Sequence, residues 1–205
     1  DATLIARTAS NRRLFADVLD RLGEAHAHDA TLCEGWDVRT LAGHQLQPVH
    51  VPSWRFLITA AMQRSMARAC DLHAARLGDR PLAETAAELR QRASDGSKPW
   101  YIGHAGPFTD SCIHLRDLAE PQGLDVSAPL EDWRTAVDII VSPRGRESFV
   151  PHEGLLDGFD VAVRVSPFDD PALLEVPGVT WAVHSCAPDV ALDEVLGIAS
   201  AGPGA

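Results

Sequence analysis

Apolar residues at Leu4, Ile5, Leu14, Phe15, Val18, Leu19 and Leu22 recur at steps of three and four, which predicts a helix with one buried face. A turn is expected around His28-Asp29-Ala30-Thr31 and Glu34-Gly35-Trp36-Asp37. Asp37 then suits the N-cap of a helix carrying Val38, Leu41 and His44. Pro48 and Pro52 predict a break or kink in that helix, followed by a restart capped by Ser53. From Trp54 to about Leu77 the chain is rich in Ala and Arg and lacks Pro and Gly, which predicts one long helix. Gly78-Asp79-Arg80-Pro81 ends it, and Pro81 opens the next helix, to about Ala93. Gly96, Pro99, Gly103, Gly106 and Pro107 make residues 94–107 a loop. A helix from about Phe108 to Glu120 follows, stopped by Pro121-Gln122-Gly123. Pro129-Leu130-Glu131-Asp132 opens another, with Trp133, Val137, Ile140 and Val141 on its apolar side.

The pattern changes in the last 60 residues. Val161, Val163 and Val165 alternate with Ala162, Arg164 and Ser166, the period of a strand. Val179-Thr180-Trp181-Ala182-Val183 is a second strand candidate, and residues 189–198 suit a short closing helix. Ala201-Gly202-Pro203-Gly204-Ala205 is expected to fray. The fold class expected is mainly α: a helical bundle over residues 1–145 and a small C-terminal α+β segment over 146–205.

Composition narrows the possible partners. The chain has 205 residues, 18 basic against 29 acidic, and a formal charge of −11. That balance argues against a nucleic-acid partner, whose phosphates require a basic face. Charges interrupt every apolar stretch before about 18 residues accumulate, so no membrane span is expected. Asp1-Ala2-Thr3 carries no basic-then-apolar leader pattern. Cys33, Cys70, Cys112 and Cys186 are widely spaced and form no C-x-x-C, which suits reduced thiols in a cytoplasmic protein.

Asp110 and His114 stand four apart in the helix expected over 108–120. Side chains at that spacing share a helix face, so a carboxylate oxygen and an imidazole nitrogen can converge on one metal ion. His44, on the same face as Leu41, is the candidate third ligand from another helix. Three protein ligands leave a position for water or substrate, which points to catalysis more than to structural support. A surface pair or a hydrogen-bonded core histidine is the alternative that spacing alone leaves open.

Leu32-Cys33-Glu34-Gly35-Trp36-Asp37-Val38-Arg39, followed by Leu41 and His44, resembles the N-terminal signature of the mycothiol-dependent maleylpyruvate isomerase family, within the DinB-like metal-binding superfamily. Gly106-Pro107-Phe108-Thr109-Asp110, running into Ile113-His114 and Asp117, is a second match. A more diffuse third covers Val141-Ser142-Pro143-Arg144, Phe149-Val150-Pro151 and Leu156-Asp157-Gly158. The resemblance implies an antiparallel four-helix bundle holding a divalent metal, usually Zn2+, on His44, Asp110 and His114. It also implies mycothiol as cosubstrate, used to isomerise an activated cis double bond or to form a thiol adduct with a small electrophile. Three features depart from the family pattern. The acidic ligand is Asp110 where the isomerase has Glu, Leu115-Arg116 replace a polar pair after the second histidine, and Glu120 and Gln122 stand where Arg and Leu are common. Two other functions remain open at this point: a metal enzyme that uses no thiol, acting as a Lewis acid or activating water on a natural-product substrate, and a non-catalytic small-molecule binding or resistance protein.

Several single residues carry secondary expectations. His104, just before the helix, is a candidate proton carrier, or else a solvated loop histidine. Asp117, one turn after His114, is a candidate to orient that imidazole, or else a solvated helix residue. Arg116 suits an acidic substrate or plain exposure. Cys33 and Cys112 are expected to be packing thiols and Trp36 to anchor its turn, while His26, His28 and His50 are not expected to form a separate metal site.

Overall fold

The computed structural model describes residues 2–95 and 103–141, together with the backbone of two strands near the C-terminus. The described part is mainly helical. Its helices are α1 (Ala2–Leu22), α2 (Val38–His50), α3 (Ser53–Gln63), α4 (Met66–Gly78), α5 (Leu82–Gln91), α6 (Ala105–Ala119) and α7 (Leu130–Val141), with short 3-10 turns at Glu24–His26 and Glu120–Gln122. The strands β1 (Ala172–Val176) and β2 (Val179–Val183) pair antiparallel, with Ala172 opposite Val183 and Val176 opposite Val179. The strand expected over Val161 to Val165, the helix over 189–198 and the domain boundary at 145 lie outside the described residues. No helix among the described residues is long and apolar enough to cross a membrane.

The expected apolar face of α1 is present: Phe15, Val18 and Leu19 are buried, and the helix packs on α5 and α6. α2 packs on α4, α5 and α6 through Val38, Leu41 and Leu46. Phe108, Leu115 and Leu118 of α6 and Trp133 of α7 complete one continuous core. A polar seam joins the helices around Asp132, which accepts from Arg7 Nε at 2.6 Å and Asn11 Nδ2 at 3.1 Å.

The α2–α4 crossing is a close backbone approach. A Cβ on Gly43 would lie 2.1 Å from the Ala74 carbonyl oxygen and 2.3 Å from the Gly78 nitrogen, and one on Gly78 would lie 2.4 Å from the Arg39 carbonyl oxygen. Only hydrogen at these positions lets the two backbones meet, and α2 carries His44 one residue beyond the contact. The crossing therefore fixes where that imidazole sits.

Four local expectations are corrected. The segment from Trp54 to Leu77 is two helices, not one: Arg64 takes a left-handed conformation (φ 52°) that closes α3, and Ser65 caps α4 by accepting from the Arg68 N–H at 3.0 Å. A capping serine supplies a helix start without Pro or Gly. Ser65→Ala is expected to cost about 1 kcal/mol, read as a lower denaturant midpoint. An unchanged midpoint would mean that the Arg64 turn alone sets the break. The break expected from Pro48 and Pro52 falls at Val51, with α2 running through Pro48 to His50, and Pro52 takes the N-cap position expected of Ser53. Gly106 and Pro107 belong to the first turn of α6 instead of the preceding loop, since proline is tolerated where the helix N–H groups have no partner anyway. That helix spans Ala105–Ala119 in place of 108–120.

Candidate metal centre

Asp110, His114 and Asp117 follow one another at four and three residues on α6, so a single stripe of that helix carries all three. His44 arrives from α2, whose start is held by Asp37: its Oδ1 accepts from the Thr40 N–H at 2.8 Å. Asp110 Oδ1 lies 3.0 Å from His44 Nε2 and 3.4 Å from His114 Nε2. The two imidazoles meet edge to face with ring centroids 4.8 Å apart. One donor atom from each of the three residues falls within 4.8 Å of the others, close enough to share a single cation. The side chains of His44 and His114 keep 13% and 17% of their surface and Asp110 keeps 29%, so one edge of the cluster meets solvent.

Each donor is held from behind. Gln45, buried, donates its Nε2–H to Asp110 Oδ2 at 2.9 Å. His114 Nδ1 donates to Asp117 Oδ2 at 2.9 Å, the orienting role expected of Asp117. His44 Nδ1 faces Cys70 Sγ at 3.3 Å, and Cys70 is itself fixed by Gln47, whose Nε2 donates to the Cys70 carbonyl at 2.7 Å. Trp36 walls one side, its ring centroid 4.9 Å from that of His44 and 6.3 Å from that of His114. Its indole N–H donates to Asp71 on α4 at 2.8 Å. A metal-bound imidazole needs its second nitrogen oriented by an acceptor, and both histidines have one.

The electrostatics match this arrangement. Burial alone would raise the Asp110 carboxyl, but His44 and His114 hold it well below the usual range. Burial alone would lower His44; Cys70 and Asp110 instead carry it up to about 9. His114 likewise rises against burial, chiefly through Asp110. The cluster thus keeps a carboxylate between two imidazolium groups when protons, not a metal ion, fill it. A histidine raised in the folded state stabilises fully below its unfolded value near 6.5 and loses that contribution as pH rises through the folded value. Protein stripped of metal by a chelator is therefore expected to lose thermal stability between pH 6.5 and about 9. Cation affinity should rise over the same window, as the competing protons leave. Melting curves and cation titrations at several pH values check both trends; stability flat across the window would contradict the raised histidines.

Sequence reasoning located His44, Asp110, His114 and Asp117, and the structure brings these four together. It missed Gln45, Cys70 and Trp36 as site residues, and it assigned Cys33 to packing. Cys33 lies instead beside His114 and Asp117. Gln45 adjoins His44 in sequence, but its partner is 65 residues away, and Cys70 likewise sits alone in a helix with no motif around it. Cys112 is buried as expected, and burial pushes its thiol up. Arg116 pairs with Glu120 at 2.9 Å. His104 closes the start of α6, about 9 Å along the helix axis from Asp110. His26, His28 and His50 do not gather: they pair separately with Asp29, Asp37 and Glu88.

Fold and site together define a mainly helical protein with two histidines and a carboxylate able to hold a metal ion. A scan against protein-family models and searches of curated proteins and of solved structures each find no match.

Proposed function

We propose that this protein is a divalent-metal enzyme of the DinB-like kind, a four-helix bundle that holds Zn2+ on His44, Asp110 and His114 and uses a thiol cosubstrate on a small electrophile. The observation that carries the proposal is the meeting of both Nε2 atoms on one Asp110 oxygen at a solvent-facing edge. The resemblance of the 32–44 and 106–117 segments to mycothiol-dependent maleylpyruvate isomerases supplies the reaction class. A bound Zn2+ would deprotonate a coordinated thiol and so provide a nucleophile at neutral pH. The chain's own part is to place and orient. Gln45 keeps the second Asp110 oxygen occupied, leaving the first for the cation, while Asp117 and Cys70 fix the imidazole tautomers. Trp36 supplies an apolar wall against which a substrate's unsaturated carbons can rest. No cysteine is required as nucleophile, and the nearest thiols, Cys33 and Cys70, are engaged with His114 and His44.

The test is turnover of maleylpyruvate by Zn2+-loaded protein, followed with and without mycothiol. Isomerisation that needs both metal and thiol is expected. Turnover that needs the metal and ignores the thiol would favour the water- or Lewis-acid reading. Tight ligand binding with the ligand recovered unchanged would favour a non-catalytic binding protein.

A further inference from the structure

We propose that Cys33, His114 and Asp117 form a second metal site, selective for a thiophilic divalent cation and joined to the first through the His114 ring.

The three donor atoms already lie at the spacing such a cation needs. Cys33 Sγ is 3.5 Å from His114 Nδ1 and 3.3 Å from Asp117 Oδ2, and those two are 2.9 Å apart. With metal–sulfur bonds of about 2.3 Å and metal–nitrogen and metal–oxygen bonds of about 2.0 Å, a tetrahedral face has edges of about 3.5 Å to sulfur and about 3.3 Å between nitrogen and oxygen. The nitrogen–oxygen edge must widen by about 0.4 Å and the sulfur–oxygen edge by about 0.2 Å, and both are edges that a hydrogen bond now draws in. His114 faces two ways: Nε2 toward Asp110, Nδ1 toward this second triangle.

The cysteine is set in place by its backbone. The Leu32 N–H donates to the Asp117 carbonyl at 3.1 Å, tying the loop before α2 to the end of α6. The Cys33 N–H donates to Thr31 Oγ1 at 3.2 Å, and the Cys33 carbonyl accepts from the Trp36 N–H at 3.0 Å. These bonds hold Sγ over the ring nitrogen before any cation arrives, so little ordering remains to oppose binding. Asp117 is buried while Cys33 is half-buried, which leaves the sulfur side as the way in.

Binding exchanges protons for the cation. The Cys33 S–H and the His114 Nδ1–H, both aimed at Asp117 Oδ2, leave to solvent, and the cation takes sulfur, nitrogen and carboxylate oxygen as ligands. When the first site is also filled, His114 bridges the two cations as imidazolate. When it is not, Nε2 keeps its proton and donates to Asp110. The second site therefore does not depend on the first, nor on the proposed reaction.

Co2+ titration of the reduced protein tests this, read as stoichiometry and as the near-ultraviolet thiolate-to-cobalt charge-transfer band. Wild type is expected to bind about two Co2+ per chain and to show the band. Cys33→Ser should bind about one and lose the band. His44→Ala should also bind about one yet keep it, and His44→Asn serves the same purpose should the alanine variant fold poorly. Cys186→Ser should retain both ions and the band. A wild-type protein that binds Co2+ without the band, or a band that survives Cys33→Ser, would overturn the second site. Loss of the band in both folded His44 variants would overturn its independence.

Discussion

Asp110→Asn is expected to weaken divalent-cation binding at the His44–Asp110–His114 site by at least about 100-fold, because losing an outer partner of a ligand already costs 10–100-fold. Asp110 Oδ1 is the point on which both Nε2 atoms converge, so the substitution removes the anion from the centre of the cluster. What remains is two imidazoles with centroids 4.8 Å apart and no negative charge between them. The same change has an opposite signature on the histidines. Asp110 contributes to both raised values, beside Cys70 in the case of His44, so removing its charge should bring His44 down from about 9. Asp110→Glu, by contrast, keeps the charge and adds one methylene, and should recover much of the binding. Competition with a chromophoric chelator measures the affinity, and NMR titration of the imidazoles measures the second effect. Asparagine binding the cation as tightly as aspartate would remove Asp110 from the ligand set.

Gly43→Val is expected to destabilise the fold by about 3 kcal/mol or more, the upper end for overpacking a tight contact. The atoms a side chain would meet are the Ala74 carbonyl oxygen and the Gly78 nitrogen, both backbone and neither able to turn aside. Relief requires α4 to shift away from α2, and Cys70, on α4, would then leave Nδ1 of His44. A loss of cation affinity should accompany the loss of stability even though Gly43 itself binds nothing. Denaturant unfolding checks the first and the chelator competition the second. A valine variant as stable as wild type would mean that the crossing is more tolerant than its distances imply.

These effects also indicate what a sequence can disclose. The helices of the first 141 residues were legible because apolar spacing and capping residues act locally. The errors fell where a local signal had two outcomes. Ser65 suits a helix interior weakly and a cap strongly, and the left-handed Arg64 that decides between them leaves no mark in composition. Pro107 breaks a helix interior but fits its first turn, so the start of α6 was misplaced by one turn. In the site, Asp110, His114 and Asp117 were legible because one helix spaces them. His44 came within reach through its face on α2. Gln45, Cys70 and Trp36 join the site only through the packing of α2 on α4 and α6, and no periodicity encodes that. Cys33 was misjudged for the same reason: the Leu32–Asp117 backbone bond that brings it to His114 spans 85 residues.

The most direct test of the central claim is metal content of purified protein by elemental analysis, wild type beside His44→Ala, Asp110→Ala and His114→Ala, after loading with Zn2+ and exhaustive dialysis. Wild type is expected to retain zinc, and the ion at the His44–Asp110–His114 site is expected to be missing from every variant whose helical circular dichroism is intact. Folded variants that hold as much zinc as wild type, or a folded wild type that holds none, would contradict it.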